Sequence, residues 1–210
     1  MNAHRTLFRY AAPLAVTLAM GIPAFAAPPA ATAAPLSRMH IDNFGQVDAG
    51  YYRGAQPDGR DYDDLAALGV KTVIDLTRGG RRNEQGMVER AGMSFYRIPL
   101  TTTERPSEPA LKQFLSIVSD PERQPVYVHC QGGQHRTGVM TAVYRMTKYG
   151  WTEEKAYDEM KQYKFETFIG HPELRHFVHD YYSRLTPIVN ALVSNAAPTA
   201  VDAHNAAARD

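Results

Sequence analysis

A single cysteine, Cys130, closes the apolar run Val126-Tyr127-Val128-His129 and opens the segment Cys130-Gln131-Gly132-Gly133-Gln134-His135-Arg136-Thr137-Gly138. One cysteine excludes an intrachain disulfide and a thiolate-built zinc site, so the thiol is either inert and buried or reactive. Its surroundings point to reactivity. A short loop between a strand and a helix can turn its backbone N–H groups inward, and with the free N–H groups of the helix start it forms a nest for an anion. Gly132 and Gly133 permit the unusual dihedrals and the close backbone approach that such a nest needs. The same positive potential favours a thiolate, since helix N-termini lower cysteine pKa values into the range of about 3.5 to 7.5. Arg136 can hold two phosphate oxygens with its planar fork, which lysine cannot do. Thr137 can donate its hydroxyl to the sulfur when the sulfur leaves. Gln131, Gly132, Gly133, Gln134 and His135 lie between the thiol and Arg136 and would supply the backbone of such a nest.

The elements that must position this loop are legible from apolar periodicity. Val70–Leu76, Ser94–Ile98 and Val126–His129 read as short buried strands bounded by Gly or Pro. Helical spacing predicts Asp61–Leu68, Ser107–Ser119 behind a serine cap, Thr137–Tyr149, Thr152–Tyr163 behind a threonine cap, and Glu173 to about Ile188. Strands alternating with helices give an α/β fold, with a mainly parallel central sheet flanked by helices on both faces and a helical C-terminal half.

Composition bounds the rest. Of the 210 residues 44% are hydrophobic and 21% charged, enough to bury a core. The 23 basic against 22 acidic residues leave no excess for neutralising nucleic-acid phosphates, so no nucleic-acid partner is expected. Arg5 and Arg9, the apolar stretch Ala11–Ile22 and the small residues of Ala24-Phe25-Ala26 predict a cleavable signal peptide over residues 1–26, too short to anchor in a membrane. Its removal takes two of the 23 basic residues and none of the acidic ones, leaving a net charge of −1. Residues 27–36 read as a flexible leader, 37–190 as the folded domain, and 191–210 as a disordered Ala-rich tail. The expected destination is outside the cytoplasm, periplasmic or secreted, with no membrane span in the mature chain.

The pattern His-Cys-x-x-Gly-x-x-Arg-Thr-Gly resembles the signature of the cysteine-dependent protein tyrosine and dual-specificity phosphatases. Asn43–Pro57, Leu68–Leu76 and His135 extend the likeness to the atypical plant and fungal dual-specificity phosphatases and their bacterial exported relatives, from about Ile41 to Tyr149. The resemblance implies a phosphatase-type fold, hydrolysis of phosphate monoesters through a phosphocysteine intermediate, and no metal or other cofactor. It makes Cys130 the nucleophile and Arg136 the clamp, gives His129 a supporting role in tuning the cysteine, and leaves Arg53 structural. The sequence departs from the family at the general acid: Asp120, beside Pro121, reads as a helix end, so Glu104 stands in by position, with His135 as the alternative. Arg78, Arg81 and Arg82 could steer a polyanion, or form a solvated turn. Other readings stay open: a phosphate-binding module without turnover, an inositol polyphosphate or pyrophosphate phosphatase, and a sulfur-transfer or arsenate-reducing enzyme, the last disfavoured by the lack of a resolving cysteine.

Overall fold

The structure, a computed structural model, describes residues 39–165 and 171–196. The expected signal peptide and leader, and the tail beyond Ala196, lie outside the described residues. The elements run β1 (Gly45–Asp48), β2 (Tyr51–Gly54), α1 (Asp61–Ala67), β3 (Thr72–Thr77), α2 (Glu84–Arg90), β4 (Ser94–Leu100), α3 (Glu108–Val118), β5 (Val126–His129), α4 (His135–Tyr149), α5 (Glu153–Gln162) and α6 (Pro172–Ala196). They build one five-stranded sheet in the order β1-β2-β5-β3-β4. Only β1 and β2 pair antiparallel; β2, β5, β3 and β4 run parallel.

Side-chain alternation divides the core into two layers. Tyr51, Ile74, Val126 and Val128 face α3 to α6, packing with Phe114, Met140, Val143 and Phe177. Tyr52, Val73 and Tyr127 face the other way, against Tyr62, Leu65 and Val88 of α1 and α2. The sheet is therefore covered on both faces, as the sequence predicts. The expected caps are present: the Ser107 hydroxyl accepts from the Ala110 N–H and the Thr152 hydroxyl from the Lys155 N–H. Asp120 follows the end of α3 and pairs with Arg123, so it is occupied as a structural carboxylate.

Three features differ from the periodicity reading. The β1–β2 hairpin escapes it because all four residues of β2, Arg53 included, are buried and show no alternation. Helix α2 escapes because it has seven residues, a central Gly86 and only Glu84 and Val88 buried. Helix α6 runs through Pro187 to Ala196 instead of stopping near Ile188. Among the described residues no helix is long and apolar enough to cross a membrane.

Candidate active site

The cradle leaves the carboxyl end of β5, the middle strand, where open α/β sheets place their ligands. His129 lies level with Gly54 of β2 and Asp75 of β3. Cys130 comes next, with 2% of its surface exposed. Beyond it the loop is held from behind by three consecutive carbonyls. Gln131 O accepts from the Gln56 N–H at 3.2 Å, Gly132 O from Asn43 Nδ2 at 2.7 Å, and Gly133 O from Arg53 Nη2 at 2.8 Å. In a planar trans peptide the N–H points opposite to the C=O. Tying these carbonyls outward turns the N–H groups of Gly132, Gly133 and Gln134 inward. Gly133 has φ +65, and a Cβ there would overlap the Gly54 carbonyl group, so the loop can seat only with glycine at this position.

Helix α4 continues the arc. Its N-cap, Gln134, makes no side-chain capping bond, so the first-turn N–H groups face the same space as the loop amides. The helix starts two residues earlier than the sequence suggests, which places His135 and Arg136 in its first turn. Arg136 Nε and the Thr137 hydroxyl are buried with no hydrogen-bond partner among the described residues. Orphaned donors of this kind beside a thiol and an arc of amides are what an oxyanion would satisfy. Cys130, Gln131, Gly132, Gly133, Gln134, Arg136 and Thr137 follow one another through the loop and the first turn of α4. His135 joins them at the rim, its ring 4.1 Å from His171 and 5.4 Å from Phe165.

Behind the cysteine, strand alternation sends His129 to the opposite face. There its Nε2 lies 3.0 Å from Glu84 Oε1, both side chains fully buried. Glu84 also accepts from Gln56 Nε2 at 2.6 Å and the Tyr62 hydroxyl at 3.1 Å, and its other oxygen is 3.6 Å from Arg97 Nη2. Arg97 Nε in turn donates to buried Asp75 at 2.8 Å. Burial pushes the Glu84 carboxyl up, but the His129 hydrogen bond and charge, followed by Gln56 and Tyr62, outweigh it and hold the group below its ordinary value. Asp75, Glu84 and His129 present ligand atoms within 4.8 Å of one another. Arg97 sits on both carboxylates and the Thr77 hydroxyl on Asp75, which makes the cluster a hydrogen-bonded charge network and a poor metal cage.

Glu104 and Arg78 make no hydrogen bond or ion pair to the loop residues among the described residues. They pair with each other at 2.8 Å, both largely exposed, and the Thr101 hydroxyl donates to the same carboxylate. Arg105 next to them binds Glu173 and Asp180 of α6, and His171 Nδ1 lies 2.9 Å from Thr102 O. The segment Thr101–Ser107 is therefore a strap tied to α6. Arg81 pairs with Asp58 at the other side of the cradle. There a cleft of about 480 Å³ opens beside Gln131, lined by His40, Asp42, Asp58, Asp61 and Arg81 among others.

Sequence reasoning missed Asn43, Gln56 and Glu84. No periodicity marks them, because they act across 89, 75 and 45 residues of chain, Asn43 and Gln56 by hydrogen bonds to Gly132 and Gln131 and Glu84 by a buried polar contact with His129. The one available signal was a glutamate that folding buries, Glu84, in an otherwise polar turn.

The comparisons with known proteins agree with this geometry. The family model described as "DSP-PTPase phosphatase fused to NAD+ Kinase" matches residues 28–174. The chain belongs to the DSP-PTPase family. Dual specificity protein phosphatase TpbA of Pseudomonas aeruginosa is 30% identical over 146 residues, covering 68% of this chain and 65% of the relative. The matched segment thus falls just short of two thirds of that relative's length. A crystal structure of the same relative, in a cysteine-to-serine form in complex with pTyr, matches with a TM-score of 0.56 at 25% identity, covering 65% of this chain and 82% of that one. Inositol diphosphatase DSP4 of Arabidopsis thaliana is 26% identical over 134 residues, covering 58% of this chain and 63% of the relative. The core catalytic domain of the PP-IP phosphatase SIW14 from S. cerevisiae, in complex with citrate, has a TM-score of 0.61 at 20% identity, covering 73% of this chain and 94% of that one, which supports the fold.

Proposed function

We propose that this DSP-PTPase chain is a metal-independent phosphatase that hydrolyses phosphate monoesters of the phosphotyrosine and dual-specificity type through a phosphocysteine. The observation that carries the reading is the arc of inward N–H groups around Cys130, locked by three outward carbonyls. In that arc the phosphoryl oxygens take the loop amides and the Arg136 fork, a preorganised set of donors in a water-poor site. The Cys130 thiolate attacks phosphorus, the S–P bond forms, and the ester O–P bond breaks with a proton delivered to the departing oxygen. Water, giving a proton to the group that donated one in the first step, then attacks phosphorus, the S–P bond breaks, and inorganic phosphate leaves as the Thr137 hydroxyl supports the returning thiolate. Glu104 is the proposed proton donor; it has to leave Arg78 to act, and a substrate anion drawing Arg78 away supplies the means. His135 is the alternative donor from inside the rim. His129, held by Glu84, is proposed to position the nucleophile.

The phosphorylated partner we favour is a protein. The relative TpbA is a dual specificity protein phosphatase, and the cleft beside Gln131 carries Asp42, Asp58 and Asp61, which repel a polyanion. Pairing of Arg78 with Glu104 and of Arg81 with Asp58 leaves less free positive charge for steering one. A second reading, inositol pyrophosphate hydrolysis, is favoured by the relative DSP4. Purified protein should be offered phosphotyrosine, phosphoserine and phosphothreonine peptides and inositol polyphosphates and pyrophosphates, with and without chelator, and scored by phosphate release. Turnover of the peptides unaffected by chelator is expected. Preference for the inositol substrates selects the second reading, and vanadate binding without turnover of any substrate makes the chain a phosphate-binding module.

We also propose that the chain is exported, on the strength of Arg5, Arg9, the apolar stretch and Ala24-Phe25-Ala26. Mass spectrometry of the extracytoplasmic protein should find an N-terminus near Ala27; intact Met1 on protein confined to the cytoplasm contradicts export.

A further inference from the structure

Among the described residues Arg53 is the largest fully buried side chain, and no salt bridge to a carboxylate compensates it. Its nearest carboxylate influence, Glu159, is taken by Arg145 at 2.6 Å. Of its guanidinium atoms only Nη2 is used, on Gly133 O, while Nε and Nη1 have no partner. The group lies flat against the Tyr163 ring, 3.8 Å from its centroid. Gly45 lies so close to the Tyr163 hydroxyl that a Cβ there would overlap it.

A cation removed from water without a counter-ion is costly, and proteins keep one only where an anion arrives or a specific role compensates. Arg53 pairs in register with Val128, two residues before Cys130, and alternation puts Arg53, Val128 and Cys130 on one face of the sheet. We propose that Arg53 is a positioning residue whose buried charge is completed by the anion in the cradle, the bound phosphoryl group or the thiolate, and whose bond to Gly133 O aims the Gln134 amide at it. This rests on reading the loop as an oxyanion cradle. Tyr163, past the end of α5, lies against the guanidinium, and the other titratable groups whose charge acts on Arg53 are Tyr51 on its own strand, Glu159 of α5 and Cys130 of the cradle. Burial pulls the guanidinium below its ordinary value while these groups oppose the shift, as expected of a cation short of a partner.

The role separates charge from scaffolding. Arg53→Gln loses the charge and, its amide being two bonds short of the Nη2 position, loosens the tie to the Gly133 carbonyl; Arg53→Lys keeps the charge and loses the fork, so the two variants together isolate the charge. With tungstate as the probe, Arg53→Gln should bind about tenfold or more weakly than wild type, the scale of losing one member of a buried charge pair. Arg53→Lys should stay within about threefold at pH 6. Cys130 alkylation by iodoacetate at pH 6 should slow in Arg53→Gln and recover in Arg53→Lys, a readout independent of phosphatase turnover. Where Arg53→Gln does not fold, Arg53→Lys alone carries the test. A buried lysine loses its charge readily, so its tungstate affinity relative to wild type should fall from pH 6 to pH 9. Binding by Arg53→Gln within threefold of wild type, or a constant Arg53→Lys to wild-type ratio across that range, overturns the proposal. If wild type itself binds no tungstate, the cradle reading fails first.

Discussion

The back wall of the cradle and the strap over Thr101–Ser107 are built by opposite means. The wall ties the ends of β2 and β5 to α2 chiefly through buried contacts: Arg53 to Gly133 O and Glu84 to His129 join buried groups, while half-buried Gln56 donates to the carbonyl of exposed Gln131. The strap is fixed to its neighbours by exposed ion pairs, Arg78 with Glu104 and Arg105 with Glu173 and Asp180. Buried polar bonds are expensive to break, because each leaves an unsatisfied partner in low dielectric, whereas exposed pairs contribute little and weaken with salt. The wall holds one geometry, and the strap can change its contacts when a substrate arrives. Under the proposed mechanism the wall supplies preorganised binding and the strap, through Glu104, the proton.

The comparison breaks most visibly at the cradle. Arg136→Lys keeps the charge and loses the bidentate fork, so kcat on an aryl phosphate should fall by about 10²- to 10³-fold with the melting temperature nearly unchanged. Steady-state kinetics checks it, and activity within threefold of wild type contradicts the clamp. On the strap, Glu104→Gln should cost about a hundredfold on alkyl phosphates, at the low end of general-acid effects, and spare nitrophenyl phosphate, whose leaving group departs almost unaided. If His135→Ala shows that leaving-group dependence instead, the proton comes from the rim.

Stability should separate the two regions with the same contrast. Glu84→Gln removes a fully buried carboxylate from a network whose cation, Arg97, is partly exposed, and should cost about 3 kcal/mol in denaturant unfolding. Because the folded carboxyl lies below its ordinary value of 4.5, Glu84 stabilises the fold above that pH and the contribution is lost as the pH falls through the folded value. Wild type should therefore lose stability on acidification below about pH 4.5 more steeply than Glu84→Gln; parallel curves contradict the network. Arg105→Ala, which cuts both exposed ties of the strap to α6, should cost under about 1 kcal/mol, and less still in high salt.

Cys130, Arg136 and the glycines were legible from sequence because the chemistry needs those types at that spacing beside a strand and a helix. The three strands and five helices with clear periodicity were legible for the same local reason. Asn43, Gln56 and Glu84 were not, since a long-range hydrogen bond leaves no periodic trace, and Arg53 looked merely structural because nothing local shows an arginine buried without a carboxylate. Glu104 was placed by position alone, and its partner Arg78, 26 residues away, appears only in three dimensions.

The most direct test of the central claim is to trap the intermediate. Protein mixed with an aryl phosphate, quenched in acid within one turnover and digested, should yield the peptide carrying Cys130 with a phosphoryl group on sulfur, and Cys130→Ser should yield neither this adduct nor turnover. Phosphate release by Cys130→Ser at the wild-type rate would contradict the account.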